Sequence, residues 1–550
     1  MTLSLDNTPV LIAGAGPSGL VAALTLLKNG IAVRIIDKEP KHRIGQRGAA
    51  IAPRSLELYH FLGVDEIEKN ANPPPLVRTY RPGGLEPLET LPIAVHVDPT
   101  PAYPYFNFAM LGQDCAESHL HSHLAKYSCY VEFGTELVSI EQHPDHVRAH
   151  LVKKRDDREI LETAQVSWLI GTDGARGMQL GLTFIGETRN EEGMLTGDIR
   201  VKGLDNKHWH MWGDIVALRA TPDFGEDGFA LFASGHGLDT ERIASNHDLL
   251  IDFLTSVTER QDMHFDVRWA SDFRPNIRMT RRFRDGRVFL AGDAAHVHSP
   301  TGGQGMNSSI QDTFNLGWKL ALVIKGLAPP SLLDTYSEER IPVIAEMLKV
   351  TTELLDDTAK ADRSTTGSAF KRDPSMYQLG VNYRGSSILV DEQDLLENEV
   401  DPYGLVTEGS LQAGDRAPDS TGLHVVGPPD EEGITRLFAV FKPWFHTALI
   451  FTKDSSDVRM LTSALRRYPQ GTIRCVVLSP RGSSVSRAAA GDLHLVDGEG
   501  HAFKWYNVPE EGGRVVVVRP DGVVGAIVHG VEGLHRYFEL IFFSVDRILV

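Results

Sequence analysis

The chain has 550 residues, 42% of them hydrophobic, enough for a large buried core and two or three domains. Its 55 basic and 73 acidic side chains leave a formal charge of −18, which argues against nucleic acid as a main ligand. The three cysteines, Cys115, Cys129 and Cys475, form no CxxC and no spaced cluster. That argues against a metal site or a disulfide framework and leads us to expect a reducing, cytoplasmic setting. No apolar run reaches the ~18 residues of a membrane span, and the stretch without Lys or Arg that leads straight into the first strand gives no reason to expect a secretory signal.

In chain order, Val10 to Ala13 reads as an apolar strand running into Gly14-Ala15-Gly16-Pro17-Ser18-Gly19. An apolar helix, Leu20 to Lys28, follows, then a second strand from Ile31 to Ile36 that ends at Asp37, completing one βαβ unit. From Gly193 to about Ser234 the pattern is strand-like and loop-rich, as in an antiparallel sheet covering a pocket. Alternation there puts His208, His210 and Trp212 on one face, and Trp209 and Met211 on the other. Strand Arg287–Ala291 is apolar again, and a long helix runs from about Gly305 to Lys325. Ser308, Asp312, Asn315 and Lys319 share one face of that helix; Ile310, Phe314, Gly317, Leu320 and Ile324 share much of the other.

The stretch between Thr352 and Ser410 is polar and rich in Asp, Ser and Gly, and reads as a long connection. After Gly414-Asp415-Arg416-Ala417-Pro418 comes a compact tail. Strands are expected at Arg436–Phe441, Ala448–Thr452, Thr472–Leu478, Arg514–Arg519 and Val523–Val528, with helices at Val458–Arg467, Ala502–Tyr506 and the C-terminus. That order is similar to a thioredoxin fold. With no CxxC, the tail is expected to serve assembly and to be dispensable for the chemical step.

A GxGxxG between a strand and a helix has a physical purpose. Gly14 permits a tight turn, Gly16 lets backbone approach a pyrophosphate, and Gly19 allows close helix–strand packing. The phosphates then sit on the unpaired N–H groups at the start of the helix, where Pro17 and Ser18 lie. Asp37, followed by Lys38, is placed to accept the hydroxyls of an adenosine ribose. The unit binds a dinucleotide, without saying which one.

Residues Gly286 to Lys319 read GRVFLAGDAAHVHSPTGGQGMNSSIQDTFNLGWK. Here the chain resembles the phenol hydroxylase branch of the flavoprotein aromatic hydroxylases. The resemblance implies that the dinucleotide is FAD, with Asp293 on the ribityl chain and Pro300 shaping the flavin wall. Gly303 to Asn307 would pass under the pyrimidine end of the flavin, where the N–H groups of Gly305, Met306 and Asn307 stabilise the charge of its reduced form. Gly171-Thr172-Asp173-Gly174-Ala175-Arg176 is similar to a further family motif, with Asp173 as its acid. It continues Gly177-Met178-Gln179 where the family has Ser, a hydrophobic residue and Arg, so nicotinamide contacts there are in question. Arg47 and Gln113 match flavin-contacting positions. Ala49 replaces an acid, and Phe273 stands where a tyrosine is usual.

The fold implied is α/β. It comprises a Rossmann-type FAD-binding domain in two parts (1–185 and 276–352), an antiparallel β-sheet substrate domain (186–275), a connection (353–410) and a thioredoxin-like domain (411–550). The activity implied is hydroxylation of a phenolic or related aromatic substrate with O₂, through a flavin C4a-hydroperoxide, and with NADPH or NADH as co-substrate. Pocket candidates are the aromatic residues of the sheet and of Tyr103 to Phe108. Among them His210 or Tyr105 is expected as the base, and Trp212 and Phe273 as substrate contacts. His296 and His298 are expected to be structural. A homodimer is expected. The alternatives are an FAD oxidoreductase that inserts no oxygen and a non-catalytic flavin-binding redox module.

Overall fold

The computed structural model describes residues 8–155, 158–174, 184–188, 193–212, 216–221, 224–234, 238–274, 276–298, 301–360, 374–393, 400–426, 434–452, 455–483, 491–510 and 513–543. Strand β1 (Val10–Ala13), helix α1 (Pro17–Lys28) and strand β2 (Val33–Asp37) form the expected βαβ unit. Helix α2 (Pro53–Phe61), strand β3 (Leu76–Tyr80) and helix α3 (Gln113–Ala125) follow, and strand β4 (Trp168–Gly171) returns beside β1. β1 is apolar at every position because it is buried on both faces, as a parallel strand between β2 and β4 must be.

The second body is a seven-stranded sheet. Its strands are β5 (Met194–Lys202), β6 (His208–Trp212), β7 (Val216–Ala220), β8 (Gly228–Ser234) and, after helix α4 (His247–Thr258), β9 (His264–Phe273). The order is β9-β5-β8-β7-β6-β3, with Glu89–Pro92 at the far edge. Most pairs are antiparallel as expected, but β3 joins β6 in parallel, Trp209 opposite Val77. It can do so because it arrives from the preceding domain by a long crossover rather than a hairpin.

The registers divide this sheet into two faces. His210, Trp212, Tyr80 and Leu218 lie on the face closed by Leu250 and Leu254 of α4. Trp209, Met211, Ala217, Arg219 and Asp198 lie on the other.

Strand β10 (Val288–Leu290) then completes the first sheet beside β4. The two helices after it are α5 (Gly305–Ile324) and α6 (Thr335–Lys360). α5 is buried along almost its whole length, its polar face included: Ser308, Asp312, Asn315 and Lys319 are each at most 1% exposed. Those polar groups are matched internally, by Arg340 and Glu339 of α6.

The stretch 353–410 is more than a connection. α6 runs on to Lys360, Met376 to Tyr383 are buried, and Val390–Asp391 joins the C-terminal sheet beside Val524–Val528. Its polar composition hides this because Gln378 and Asn382 find partners inside the protein.

The tail is a seven-stranded mixed sheet with its helices packed on it. Two expectations change. Arg436–Phe441 is not a strand: Leu437–Ala439 is a 3₁₀ turn, because Asp419 accepts both Phe438 N–H at 2.8 Å and Arg436 Nε at 2.6 Å. Phe438 and Phe441 then pack edge-on against Phe61 of α2. A further strand, Leu493–Asp497, lies between Ile473–Pro480 and Leu423–Val425. The tail and the first domain share one apolar core, so the tail is not a detachable appendage.

Candidate functional site

The Gly-rich turn has the shape its sequence demands. Gly14 has φ +106°, and a side chain there would lie 2.3 Å from the Thr172 carbonyl. A side chain on Gly19 would strike the Gly14 carbonyl at 2.0 Å. A side chain on Gly16, by contrast, would meet nothing within 4 Å. This is the open cradle that a pyrophosphate needs, at a helix start where Gly16 offers no side-chain cap. At the end of β2, Asp37 accepts Ala15 N–H at 2.8 Å and Glu39 N–H at 2.9 Å. These bonds aim its carboxylate at the turn and leave lone pairs for ribose hydroxyls. Asp173 follows Thr172 against the same turn. Burial pushes its carboxyl up to about 6, opposed by backbone hydrogen bonding and by Lys38.

The two parts of the second half of the site, the Arg47–Ala52 loop and Gly303 to Asn307, lie far from this turn in the chain and from one another, and the fold brings them together at α5. Asn307, in the first turn of α5, accepts Ala52 N–H at 2.8 Å and donates to Ala50 O at 2.9 Å and Gly303 O at 2.9 Å. Its amide therefore clamps the Arg47–Ala52 loop onto Gly303 and the helix start. Met306 and Gln113 converge on Gly48: a side chain there would lie 3.6 Å from Gln113 Oε1 and 3.7 Å from Met306 Cβ. Gln113 is oriented by Glu117, which accepts its Nε2 at 2.8 Å and also pairs with His42 at 3.0 Å. Arg47 has a left-handed backbone (φ +34°) and lies within electrostatic reach of Glu117 and Asp293. Asp293 is exposed on the turn Gly292–Ala294, free to meet a ribityl chain. These positions fit FAD at both ends. Pro300, Ala175 and Arg176 lie outside the described residues.

Several residues at this site carry no motif that marks them. Asp312 accepts Gly292 N–H at 3.0 Å, His296 Nε2 at 2.7 Å and Arg340 Nε at 2.8 Å. It thereby ties α5 to the turn that carries Asp293. Burial alone would push its carboxyl up, but His296 and Arg340 beside it hold it low. His296 is thus structural. Gln378, from the polar stretch, donates to Gln304 Oε1 at 2.6 Å and to Ser308 Oγ at 3.1 Å, locking the start of α5. The polar face of α5 was visible in sequence; its partners, far along the chain, were not.

The expected base and substrate contacts fare differently. His210 lies on the α4 face of the sheet, 1% exposed. Nε2 donates to Asp205 O at 2.8 Å, so Nδ1 accepts the Tyr80 hydroxyl at 2.9 Å. Burial lowers its pKa, and with both nitrogens engaged it is a satisfied core histidine. Trp212 stacks on Tyr80 in the same layer, away from the Arg47 loop. Tyr105 packs beside His60, where burial raises its phenol pKa, the wrong direction for a base. Phe273, on edge strand β9, lies four strands from Trp212, roughly 19 Å at the usual strand spacing, and on the opposite face. Alternation separated the two faces correctly; only packing showed which one looks toward the loop.

That face is marked by contacts. Asp198 Oδ2 accepts Gln46 N–H at 3.1 Å and Trp269 Nε1 at 2.6 Å, and Arg219 Nη2 lies 3.4 Å from Gln46 Oε1. The sheet is thereby stapled over the residue just before Arg47.

Two family models match the chain: the FAD binding domain over residues 7–351, and the phenol hydroxylase C-terminal dimerisation domain over residues 439–545. A flavin-dependent monooxygenase of Mycobacteroides abscessus is 36% identical over 456 residues, covering 80% of this chain and 88% of that protein. Pentachlorophenol 4-monooxygenase of Sphingobium chlorophenolicum is 29% identical, covering 99% of this chain and 97% of that protein. The flavin-dependent monooxygenase PieE, solved in complex with FAD and substrate, has the same fold, with a TM-score of 0.79 at 21% identity and coverage of 98% and 100%.

Proposed function

The chain belongs to the FAD-dependent monooxygenases, and we propose that it hydroxylates a phenolic or related aromatic ring with O₂ and electrons from NADPH or NADH. The observation that carries this reading is the Asn307 clamp, which sets the α5 N-terminus against the Arg47–Ala52 loop, beside the sheet face of Trp209, Met211 and Arg219. FAD, when bound, accepts hydride and activates O₂ for insertion into the ring.

The chain's own residues bind and shape. Gly16 and the first N–H groups of α1 hold the pyrophosphate, Asp37 the ribose, and Asp293 the ribityl chain. The N–H groups of Gly305 to Asn307 and the helix dipole stabilise negative charge at the pyrimidine end without reorganising. The apolar side chains Trp209, Met211 and Ala217 keep water from the ring. A homodimer accords with the match over residues 439–545, and a cytoplasmic setting with three cysteines that form no CxxC and no spaced cluster in the sequence.

The test is nicotinamide consumption by the FAD-loaded protein under isotopically heavy O₂, across a panel of simple and fused-ring phenols. A product carrying one heavy oxygen is expected. Flavin turnover with no label in any product would support instead an FAD oxidoreductase that inserts no oxygen.

A further inference from the structure

Helix α3 turns Asp114, Glu117 and His121 toward the segment that leads from β2 into the flavin loop. Their spacing of three and four residues puts them on one face of the helix. Asp114 Oδ2 accepts Gly45 N–H at 2.9 Å, Glu117 Oε2 meets His42 Nε2 at 3.0 Å, and the His121 ring stands edge-on to His42 with 5.0 Å between centroids. Glu117 is 5% exposed, and its other oxygen, Oε1, accepts Gln113 Nε2 at 2.8 Å. A hydrogen-bonded chain runs from half-buried His42 through Glu117 to Gln113, whose Oε1 lies at Gly48 of the flavin loop.

An ionised carboxylate only accepts, so Gln113 must give Glu117 its NH₂ group and keep its carbonyl for the loop side. Gln113 then offers an acceptor, suited to a ribityl hydroxyl or a ring N–H and unsuited to the flavin carbonyls. The buried charge on Glu117 is costly unless a cation compensates it. The cations that face it are His42 and, farther off, Arg47. Arg47 keeps its charge at every working pH, whereas an imidazole does not. Around His42 stand Glu117, Asp114 and His121 on α3, while Arg43 and Glu39 on its own segment pair with each other. The hydrogen bond to Glu117 raises the His42 pKa above the ordinary 6.5, against burial and with help from the charges of Glu117 and Asp114. Burial and His42 lower the pKa of His121, outweighing Glu117 and Asp37. Its Nε2 is buried without a hydrogen-bond partner among the described residues, as a neutral ring allows. The His42–Glu117 pair is therefore neutral at low pH and carries one negative charge once His42 loses its proton.

We infer that Glu117 and His42 are positioning residues for FAD: ionised Glu117 fixes the Gln113 amide with its carbonyl toward the cofactor, and protonated His42 cancels the carboxylate charge that would otherwise repel the anionic cofactor. FAD affinity then falls as the pH rises through the His42 pKa, because only the protonated pair is neutral. The inference rests on FAD as the cofactor and is independent of whether a ring is hydroxylated.

The experiment measures equilibrium release of oxidised FAD from the loaded protein by its fluorescence, over roughly pH 7 to 9. That window lies above the titration of Asp173 at about 6, and oxidised FAD keeps its own charge across it. Wild type should lose affinity by about three- to ten-fold, the change expected when bound FAD raises the His42 pKa by roughly half a unit to one unit. His42→Gln should hold FAD at the weak, high-pH level throughout, and His42→Arg at the tight, low-pH level throughout. Glu117→Gln should flatten the profile as well, because His42 without its carboxylate gives up its proton below the window. A wild-type affinity that does not change with pH overturns the inference. So does a His42→Gln protein that keeps the wild-type slope, even at lower affinity, since that is the signature of a structural contact alone. Should Glu117→Gln not fold, the two variants of half-buried His42 decide the matter. Turnover enters none of these readings, so the expected profile without oxygen insertion would count against hydroxylation alone.

Discussion

Arg519 of the C-terminal sheet grips Glu339 of α6 through both carboxylate oxygens, at 2.7 and 2.8 Å, with both side chains wholly out of solvent. Lys319 of α5 reaches the same carboxylate at 2.7 Å, and Asp521 accepts Trp318 Nε1 at 3.1 Å. On α2, Glu57 is held by Arg416 and Arg54. The tail therefore braces both helices that shape the flavin site: α5, whose start carries Asn307, and α2, which follows the clamped loop.

Glu339→Gln leaves two buried cations short of a countercharge. A loss of about 3–5 kcal/mol is expected, the usual cost of breaking a buried pair from one side, and chemical denaturation measures it. Deletion from Gly414 exposes the shared core and should yield no FAD-loaded protein. A truncated chain that purifies yellow and folded would refute this view of the tail.

Asp293→Ala removes the expected ribityl contact and should release FAD. Asp312→Asn should also weaken FAD, by roughly tenfold or more, because the turn bearing Asp293 loses a charge-assisted anchor although Asp312 touches no ligand itself. Fluorescence of released FAD gives both affinities. Wild-type affinity in Asp312→Asn would show that the anchor is unnecessary.

His210→Gln should leave the coupling of nicotinamide consumption to product unchanged, because the ring is sealed between Tyr80 and Asp205 on the far face of the sheet. Its cost falls on stability, about 1–3 kcal/mol for a disturbed buried pair. Peroxide released per nicotinamide consumed is the readout, and a marked rise would return His210 to the chemistry.

His446 is 1% exposed and ringed by Trp318, Tyr537, Phe538 and Phe542. Burial lowers its pKa to about 3 from the ordinary 6.5. Between those values the unfolded chain binds a proton that the folded protein refuses, so this residue's contribution is intact above pH 6.5 and erodes as the pH falls, by about 1.4 kcal/mol per unit. His446→Phe should flatten the fall in denaturation midpoint between neutral pH and roughly pH 5. An equally steep fall in the variant would place the acid sensitivity elsewhere.

Cys475 is buried on a tail strand, and burial pushes its thiol up to about 12. A thiol so poorly ionised is a weak nucleophile. Cys475→Ser should keep FAD content and turnover, with a stability change of about 1–2 kcal/mol. Lost coupling in folded Cys475→Ser protein would give the tail a chemical role.

What could be read from the chain was local. Gly14, Gly16 and Gly19 between an apolar strand and helix, and Asp37 at the next strand end, act over a few residues, so their spacing determines their geometry. The same holds for the alternation from His208 to Trp212 and the polar face from Ser308 to Lys319. What each face meets was decided only in three dimensions. His210 and Trp212 went under α4, while Trp209 and Arg219 turned toward the flavin loop, because the sheet could bury its apolar layer on that helix. The polar side of α5 was closed by Arg340, Glu339 and Gln378, from 20 to 70 residues away in the chain. Periodicity specifies that two faces differ, but hydrogen bonds and charge pairs between distant segments determine which one becomes the site.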